Sequence, residues 1–148
     1  PFRIRVWWVS AMPSSQGSRS VRLAMQAEHQ GAYGVVVNAP MPNEVIAEIK
    51  SVVDIPVIAT VVSDRSDIKG RIEAGTDIFN VSGAAETASI VRHIREQYPH
   101  AAIIATGGPT EESILETIRA GANAITITPP TTGELFAGIM HDYREKKL

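Results

Sequence analysis

The 148 residues contain no cysteine. That excludes disulfides, thiolate nucleophiles and Cys-ligated zinc, and it suits a reducing compartment. Lysine is scarce too: apart from Lys146 and Lys147 near the C-terminus there are only Lys50 and Lys69. With a net charge of −2 and no basic cluster, nothing is present to displace counterions from a polyanion, so no nucleic-acid partner is expected. Long apolar runs are absent as well. No stretch approaches the ~20 residues of a membrane span. The apolar start, Phe2 to Val9, is short and broken by Arg3 and Arg5, unlike a secretory signal. These absences point to a cytoplasmic protein with no membrane partner.

What is present is ordinary globular material, 44% hydrophobic and 20% charged. The length suits one domain that buries roughly two thirds of its unfolded surface. Six short apolar runs of strand length appear: Ile4–Val9, Gly34–Ala39, Pro56–Val62, Ile78–Ser82, Ala101–Thr106 and Ala124–Thr128. Their nearly continuous apolarity predicts strands buried on both faces, as in a parallel sheet. Between them lie helical stripes: Ile46/Ile49/Val53, Ile90/Val91/Ile94, Ile114/Leu115/Ile118 and Leu135/Phe136/Ile139/Met140. Strands alternating with such helices predict an α/β fold of six βα units.

The pattern also repeats. Gly31, Gly75 and Gly121 each follow a helical stretch and precede a strand, at spacings of 44 and 46 residues. Ile55–Thr60 and Ala101–Thr106 are again 46 apart. A single domain of three βαβα modules, about 1–53, 54–99 and 100–148, accounts for this. Four such modules would make a (βα)8 barrel. Three leave two architectures open: a TIM-barrel-like sheet that is incomplete, or an open doubly wound sheet. A fragment of a longer protein fits the same pattern. An incomplete barrel exposes an edge strand, so a homo-oligomer is expected there.

In parallel α/β sheets ligands sit at the carboxyl ends of the strands. That filter removes His29, His93, His100 and His141, and leaves no lysine for a Schiff base. Six loops pass it, Ser10–Ser20, Asn38–Asn43, Ser63–Asp67, Ser82–Glu86, Gly107–Glu112 and Pro129–Gly133, and three stretches carry candidate chemistry. In Ser14–Ser20, hydroxyls and a glycine meet the start of a helix, where Ser18 and Arg19 suit a phosphate or carboxylate, unless Ser18 simply caps the helix. In Thr106–Thr110, Gly107 and Gly108 expose backbone amides, although Glu111 and Glu112 then repel an anion and Thr110 reads equally well as a cap. In Ser63–Asp67, Asp64 is the carboxylate directly after a strand and hence the general-base candidate, with Arg65 to neutralise a ligand; Ser66 or Asp67 alternatively caps the next helix. Asn38 and Asn80, near strand ends, add hydrogen-bonding amides. The expected ligand is a small anionic metabolite. No set of residues has metal-ligand spacing, but Mg²⁺ shared between one carboxylate and a phosphate needs none.

Two families share these motifs. Residues 6 to 83, with Val35-Val36-Val37-Asn38, Val53-Asp54-Ile55-Pro56-Val57-Ile58 and Asp64, resemble the N-acylmannosamine-6-phosphate 2-epimerases among the phosphate-binding TIM barrels. That resemblance implies a sugar-phosphate isomerase or lyase. The position of the family's catalytic lysine holds Val62, and that of its second-strand arginine holds Val36. Ile103-Ile104-Ala105-Thr106-Gly107-Gly108 through Ala120-Gly121-Ala122 resembles the last two strands of flavin-dependent barrels such as nitronate monooxygenases, which implies FMN held at the glycines. Ser82-Gly83-Ala84-Ala85 stands where that family has its histidine. The leading expectation is a phosphometabolite-binding barrel with epimerase-like or lyase-like chemistry. A catalytically reduced relative with a binding or regulatory role, and an FMN-binding oxidoreductase-like barrel, are the alternatives.

Overall fold

A computed structural model describes residues 6–9, 17–127 and 132–145. Strands and helices alternate throughout: β1 (Val6–Val9), α1 (Gly17–His29), β2 (Gly34–Val37), α2 (Asn43–Val52), β3 (Val57–Val61), α3 (Ile68–Glu73), β4 (Ile78–Val81), α4 (Thr87–Gln97), β5 (Ala102–Thr106), α5 (Glu111–Arg119), β6 (Ala124–Thr126) and α6 (Thr132–Glu145). A 3₁₀ turn at Ala84–Glu86 leads into α4.

All neighbouring strands pair in parallel, in the order β1-β2-β3-β4-β5-β6. This overturns the doubly wound alternative. A doubly wound sheet reverses its strand order at a switch point so that helices cover both faces. Here each strand lies beside its predecessor, so the chain winds one way, as it does around a barrel. The result is a partial TIM-barrel-like sheet whose outermost strands are β1 and β6.

Register sorts the side chains onto two faces. Val35, Val37, Val57, Ala59, Val61, Phe79, Val81, Ile103 and Ala105 belong to the core beneath the helices. The residues between them point to the opposite, concave face. There Val36, Ile58 and Ile78 form one row, and Thr60, Asn80, Ile104 and Ala124 the next. The helical stripes divide by position in the sheet. Ile46, Ile49 and Val53 on and just after α2, and Ile90, Val91 and Ile94 on α4, are buried as their spacing predicts. Leu115 and Ile118 of α5, and Phe136 and Ile139 of α6, are exposed. The amphipathic spacing is right, but β6 is an edge and no further layer among the described residues covers these faces.

The 46-residue repeat has a structural counterpart at the amino ends of the strands. Lys50 on α2 pairs with Asp77 at 2.7 Å, and Asp77 exchanges two hydrogen bonds with Val57, accepting at Oδ2 and donating from its amide. One module later, Arg95 on α4 donates to the Gly121 carbonyl and to Asn123 Oδ1. Asn123 exchanges the same two bonds with Ile103. Gly75 and Gly121 complete each latch at φ +92° and +108°, a left-handed region costly for a side chain. A Cβ at Gly75 would also lie 2.7 Å from Lys50 Cγ.

Candidate functional site at the carboxyl ends of the strands

Winding in one direction brings the loops after β2, β3, β4 and β5 to one rim. On its concave side sits a polar step. Thr60 and Asn80 are both 7% exposed, and the Asn80 amide donates to Thr60 Oγ1 across a long 3.5 Å contact. Asn38 follows Val37, which registers with Ala59, so it stands level with Thr60 and is half-buried. Ser82 continues the line after β4, with its amide bonded to the Val61 carbonyl. These groups are uncharged donors and acceptors. A row of such groups facing a concavity suits a planar, hydrogen-bonding ligand.

Beside this row lies a cleft of about 450 Å³ between the β4–α4 and β5–α5 loops, lined by Ser82, Thr87, Thr106, Gly107, Gly108 and Glu116 among others. Its walls are braced from within. Buried Thr87 Oγ1 accepts from the Gly83 amide at 3.0 Å and donates to the Ala84 carbonyl at 2.9 Å. This holds Ala84 at φ +51°, a conformation rare outside glycine. On the other side Thr110 caps α5 in a reciprocal box with Ser113. The two glycines have packing reasons of their own. A Cβ at Gly107 would lie 2.9 Å from Ile125 Cγ2 and 3.0 Å from Ile114 Cγ1, and one at Gly108 would lie 2.3 Å from Ser113 Oγ. The Gly107 amide is committed to the Thr126 carbonyl and the Thr110 amide to Ser113. The donors left to a ligand are the Gly108 amide and the first amides of α5.

The remaining sequence candidates stand at the outer margin. Ser18 and Arg19 lie in the first turn of α1, both exposed, so Ser18 is inside the helix; residues 14–16 of that loop lie outside the described residues. Asp64 is exposed, accepting from the Ser63 hydroxyl at 3.1 Å, and Arg65 beside it is exposed too. Asp67 caps α3, accepting from the Gly70 amide at 2.9 Å, and it also accepts from Asn43. The rim thus gathers Asn38, Asn80, Gly107 and Gly108 near its concave side and leaves Ser18, Arg19, Asp64 and Arg65 in solvent. Thr60, Thr87 and Ser113 were not singled out from the sequence. A lone Thr inside the apolar run Val57–Val62 was the available signal for Thr60.

Arg71 was missed as well. It is buried on α3 and donates Nη2 to the Ala39 carbonyl, which fixes the turn just after Asn38. Burial pushes its pKa below the usual guanidinium value, partly opposed by Asp67. Its Nη1 has no hydrogen-bond partner.

FMN can be tested against these groups. Its ring presents carbonyls and nitrogens that Asn38, Thr60, Asn80 and Ser82 complement without burying an unpaired charge. Its phosphate would rest on the Gly108 amide and the start of α5, where Glu111 and Glu112 weaken an otherwise favourable helix terminus. The residues fit the ring more closely than the phosphate. No group of three or more His, Asp or Glu able to hold a metal occurs among the described residues. No helix among them is long and apolar enough to cross a membrane.

A single-direction parallel sheet with a polar rim at its carboxyl ends defines a barrel-type protein, and solved structures give the likeness a particular direction. The chain superposes on a tyrosine-to-phenylalanine mutant of mandelate oxidase with a monooxide FMN adduct at a TM-score of 0.70, with 18% identity over 83% of this chain and 48% of that one. A second mandelate oxidase structure, with 4-Br-2-hydroxy-methylphenylacetate, gives 0.69, with 16% identity over 83% and 50%. A third, with (S)-2-phenylpropionate, gives 0.69 over 83% and 49%. The chain spans about half the length of these proteins. At this identity the likeness establishes the partial barrel fold. It lends no support to the epimerase placement or to isomerase or lyase chemistry. No protein-family model matches the sequence, and no curated protein does.

Proposed function

We propose that the rim holds FMN, in an oxidoreductase-like barrel. The observation that carries this reading is the buried, uncharged Thr60–Asn80 pair facing the concave side, next to a cleft walled by Gly107 and Gly108. Isolated anions call for cations, whereas this pair calls for a neutral ring with matched donors and acceptors. Asn38, Thr60, Asn80 and Ser82 bind and orient the ring, and the Gly108 amide with the start of α5 receives the phosphate. Bound flavin supplies a two-electron acceptor. Arg19 and Arg65, at the solvent margin, attract a small anionic substrate. Asp64, next to Arg65 in the loop after β3, is the carboxylate that takes a substrate proton in this reading.

Titration of FMN followed by quenching of its fluorescence tests the reading. Removing the Asn80 amide in Asn80→Ala is expected to weaken binding about tenfold, the worth of one buried hydrogen bond. Arg19→Ala leaves FMN affinity within about twofold, because an exposed cation contributes little. FMN that stays unquenched up to about 1 mM, alongside a sugar phosphate that raises the melting temperature, would sink the flavin reading and favour a phosphometabolite.

A further inference from the structure

Two side-chain contacts tie the β2–α2 loop to α3. Arg71 donates Nη2 to the Ala39 carbonyl, and Asn43 donates to Asp67 Oδ2 at 2.9 Å. The other oxygen of Asp67 accepts from the Gly70 amide at 2.9 Å. Glycine inside a helix is unfavourable, but a side chain at Gly70 has no room beside this joint. A Cβ there would overlap Asp67 Oδ2 and lie 2.5 Å from Asn43 Nδ2. Between the two contacts the loop turns tightly, with the Met41 amide donating to the Asn38 carbonyl at 3.1 Å and Met41 itself in the core. Stability gives little reason for a cation at this joint. Arg71 is 7% exposed, and its Nη1 meets no hydrogen-bond partner among the described residues. A buried cation with an unmet donor stabilises poorly against an apolar side chain of similar volume, which leaves the geometry it fixes.

We propose that Arg71 is a positioning residue for the rim: by holding the Ala39 carbonyl, with the Asn43–Asp67 pair beside it, it sets the place of the Asn38 amide next to Thr60 and Asn80. This role rests on the rim being a flavin site, in which Asn38 bonds the ring. Thr60 and Asn80 lie within β3 and β4 and are placed by the sheet itself. Asn38 lies one residue past Val37, the last residue of β2, so its place depends on how the loop is tied. Ala39 follows it directly, and a shift of the Ala39 peptide carries Asn38 along. A displacement of about 1 Å is enough to spoil a hydrogen bond to a bound ring. Asp67 also closes the loop that carries Asp64 and Arg65, so the same joint fixes the ring-binding amide relative to the carboxylate that takes the substrate proton. Arg71 itself touches no ligand in this arrangement and acts through Ala39.

A double-mutant cycle on FMN affinity, joined to amide exchange in the chain without FMN, tests the role. Arg71→Met keeps the volume and removes the tie, and it is expected to weaken FMN binding about fivefold. In an Asn38→Ala background the same substitution changes affinity by less than about twofold, because the amide it positioned is gone. Arg71→Lys, which retains a donor, brings affinity back to within about twofold of the unsubstituted chain. Without FMN, Arg71→Met speeds exchange of the Met41 amide about tenfold while the β3 amides keep their rate. A purely structural role would instead lower protection across the sheet and act equally in both backgrounds. Equal losses with and without Asn38, or Met41 protection that survives Arg71→Met, overturn the role while the flavin reading stands. FMN that the unsubstituted chain fails to bind sinks the flavin reading, and the role of Arg71 with it, whatever Met41 does. Should Arg71→Met not fold, Gly70→Ala disturbs the joint from its other side. It is expected to weaken FMN binding in the presence of Asn38 alone, and unchanged affinity overturns the role.

Discussion

Asp77 and Asn123 stand 46 residues apart, and each accepts a hydrogen bond from an amide at the start of the neighbouring strand. One is charged and the other is not, which separates the value of the ion pair from that of the amide bond. Both partners of the Lys50–Asp77 pair are about a third exposed, at 35% and 36%, so solvent screens much of their attraction. Asp77→Asn is expected to cost under about 1 kcal/mol. Asp77→Ala strands the Val57 amide and should cost about 1–3 kcal/mol. Urea unfolding measures both, and equal losses would shift the weight to the ion pair. Arg71 poses the opposite case, a buried cation with one donor unmet. Removing charge and donor together while keeping the volume, as in Arg71→Met, should change stability by under about 1 kcal/mol, because desolvation offsets most of the hydrogen bond to Ala39. Arg71→Ala, which leaves a void, should cost about 2 kcal/mol or more by the same unfolding measurement.

At the scale of elements, α5 shows how far periodicity carries. Its cap was legible, since Thr110 stands just before Glu111 and Glu112, and the structure closes the box with Ser113. Thr110→Ala should cost about 1 kcal/mol of stability. Its stripe was legible in spacing but not in outcome. Ile114, Leu115 and Ile118 form a proper apolar face, yet Leu115 and Ile118 are exposed, because burial depends on a neighbouring layer that the helix's own sequence does not encode. Gly107 and Gly108 show the reverse. Read along the chain they suggest amides offered to a phosphate, whereas in space Ile125, Ile114 and Ser113 occupy the room that a side chain would need. Gly107→Ala therefore tests packing as well as binding. It should cost about 1–3 kcal/mol in unfolding with no ligand present.

At the scale of the whole molecule, alternation of apolar runs and helical stripes was enough to predict a parallel α/β sheet, and the 46-residue echo pointed toward a barrel. Strand order decided between the barrel and the doubly wound sheet, and order is a matter of which strands pair, on which local sequence is silent. The rim was legible as a set of loops. Its arrangement was not, because which side of a strand faces the concavity follows from register: Asn80 was noticed as a polar residue near a strand end, while its partner Thr60 lay hidden in an apolar run. Burial falls from β3 and β4, where Ile58, Thr60, Phe79 and Asn80 are buried, to β6, where Ala124 and Thr126 are exposed, and this makes a further prediction about the molecule as a whole. Amides of β3 and β4, packed on both faces, should exchange at the rate of global unfolding, and those of β6 about a hundredfold faster or more. Uniform protection across the sheet would contradict it.

The side chains that fasten one strand to the next, Lys50 with Asp77 and Arg95 with Asn123, all lie at the opposite end of the sheet from the polar rim. Each fastening is complete within its own 46-residue segment and its immediate neighbour, and owes nothing to the loops where a ligand would rest. Rim positions that neither brace a loop nor lack room for a side chain are consequently open to change, so a laboratory seeking new specificity would randomise Asn38 and Ser82, keep Gly107, Gly108, Arg71 and Thr87, and leave the far end untouched.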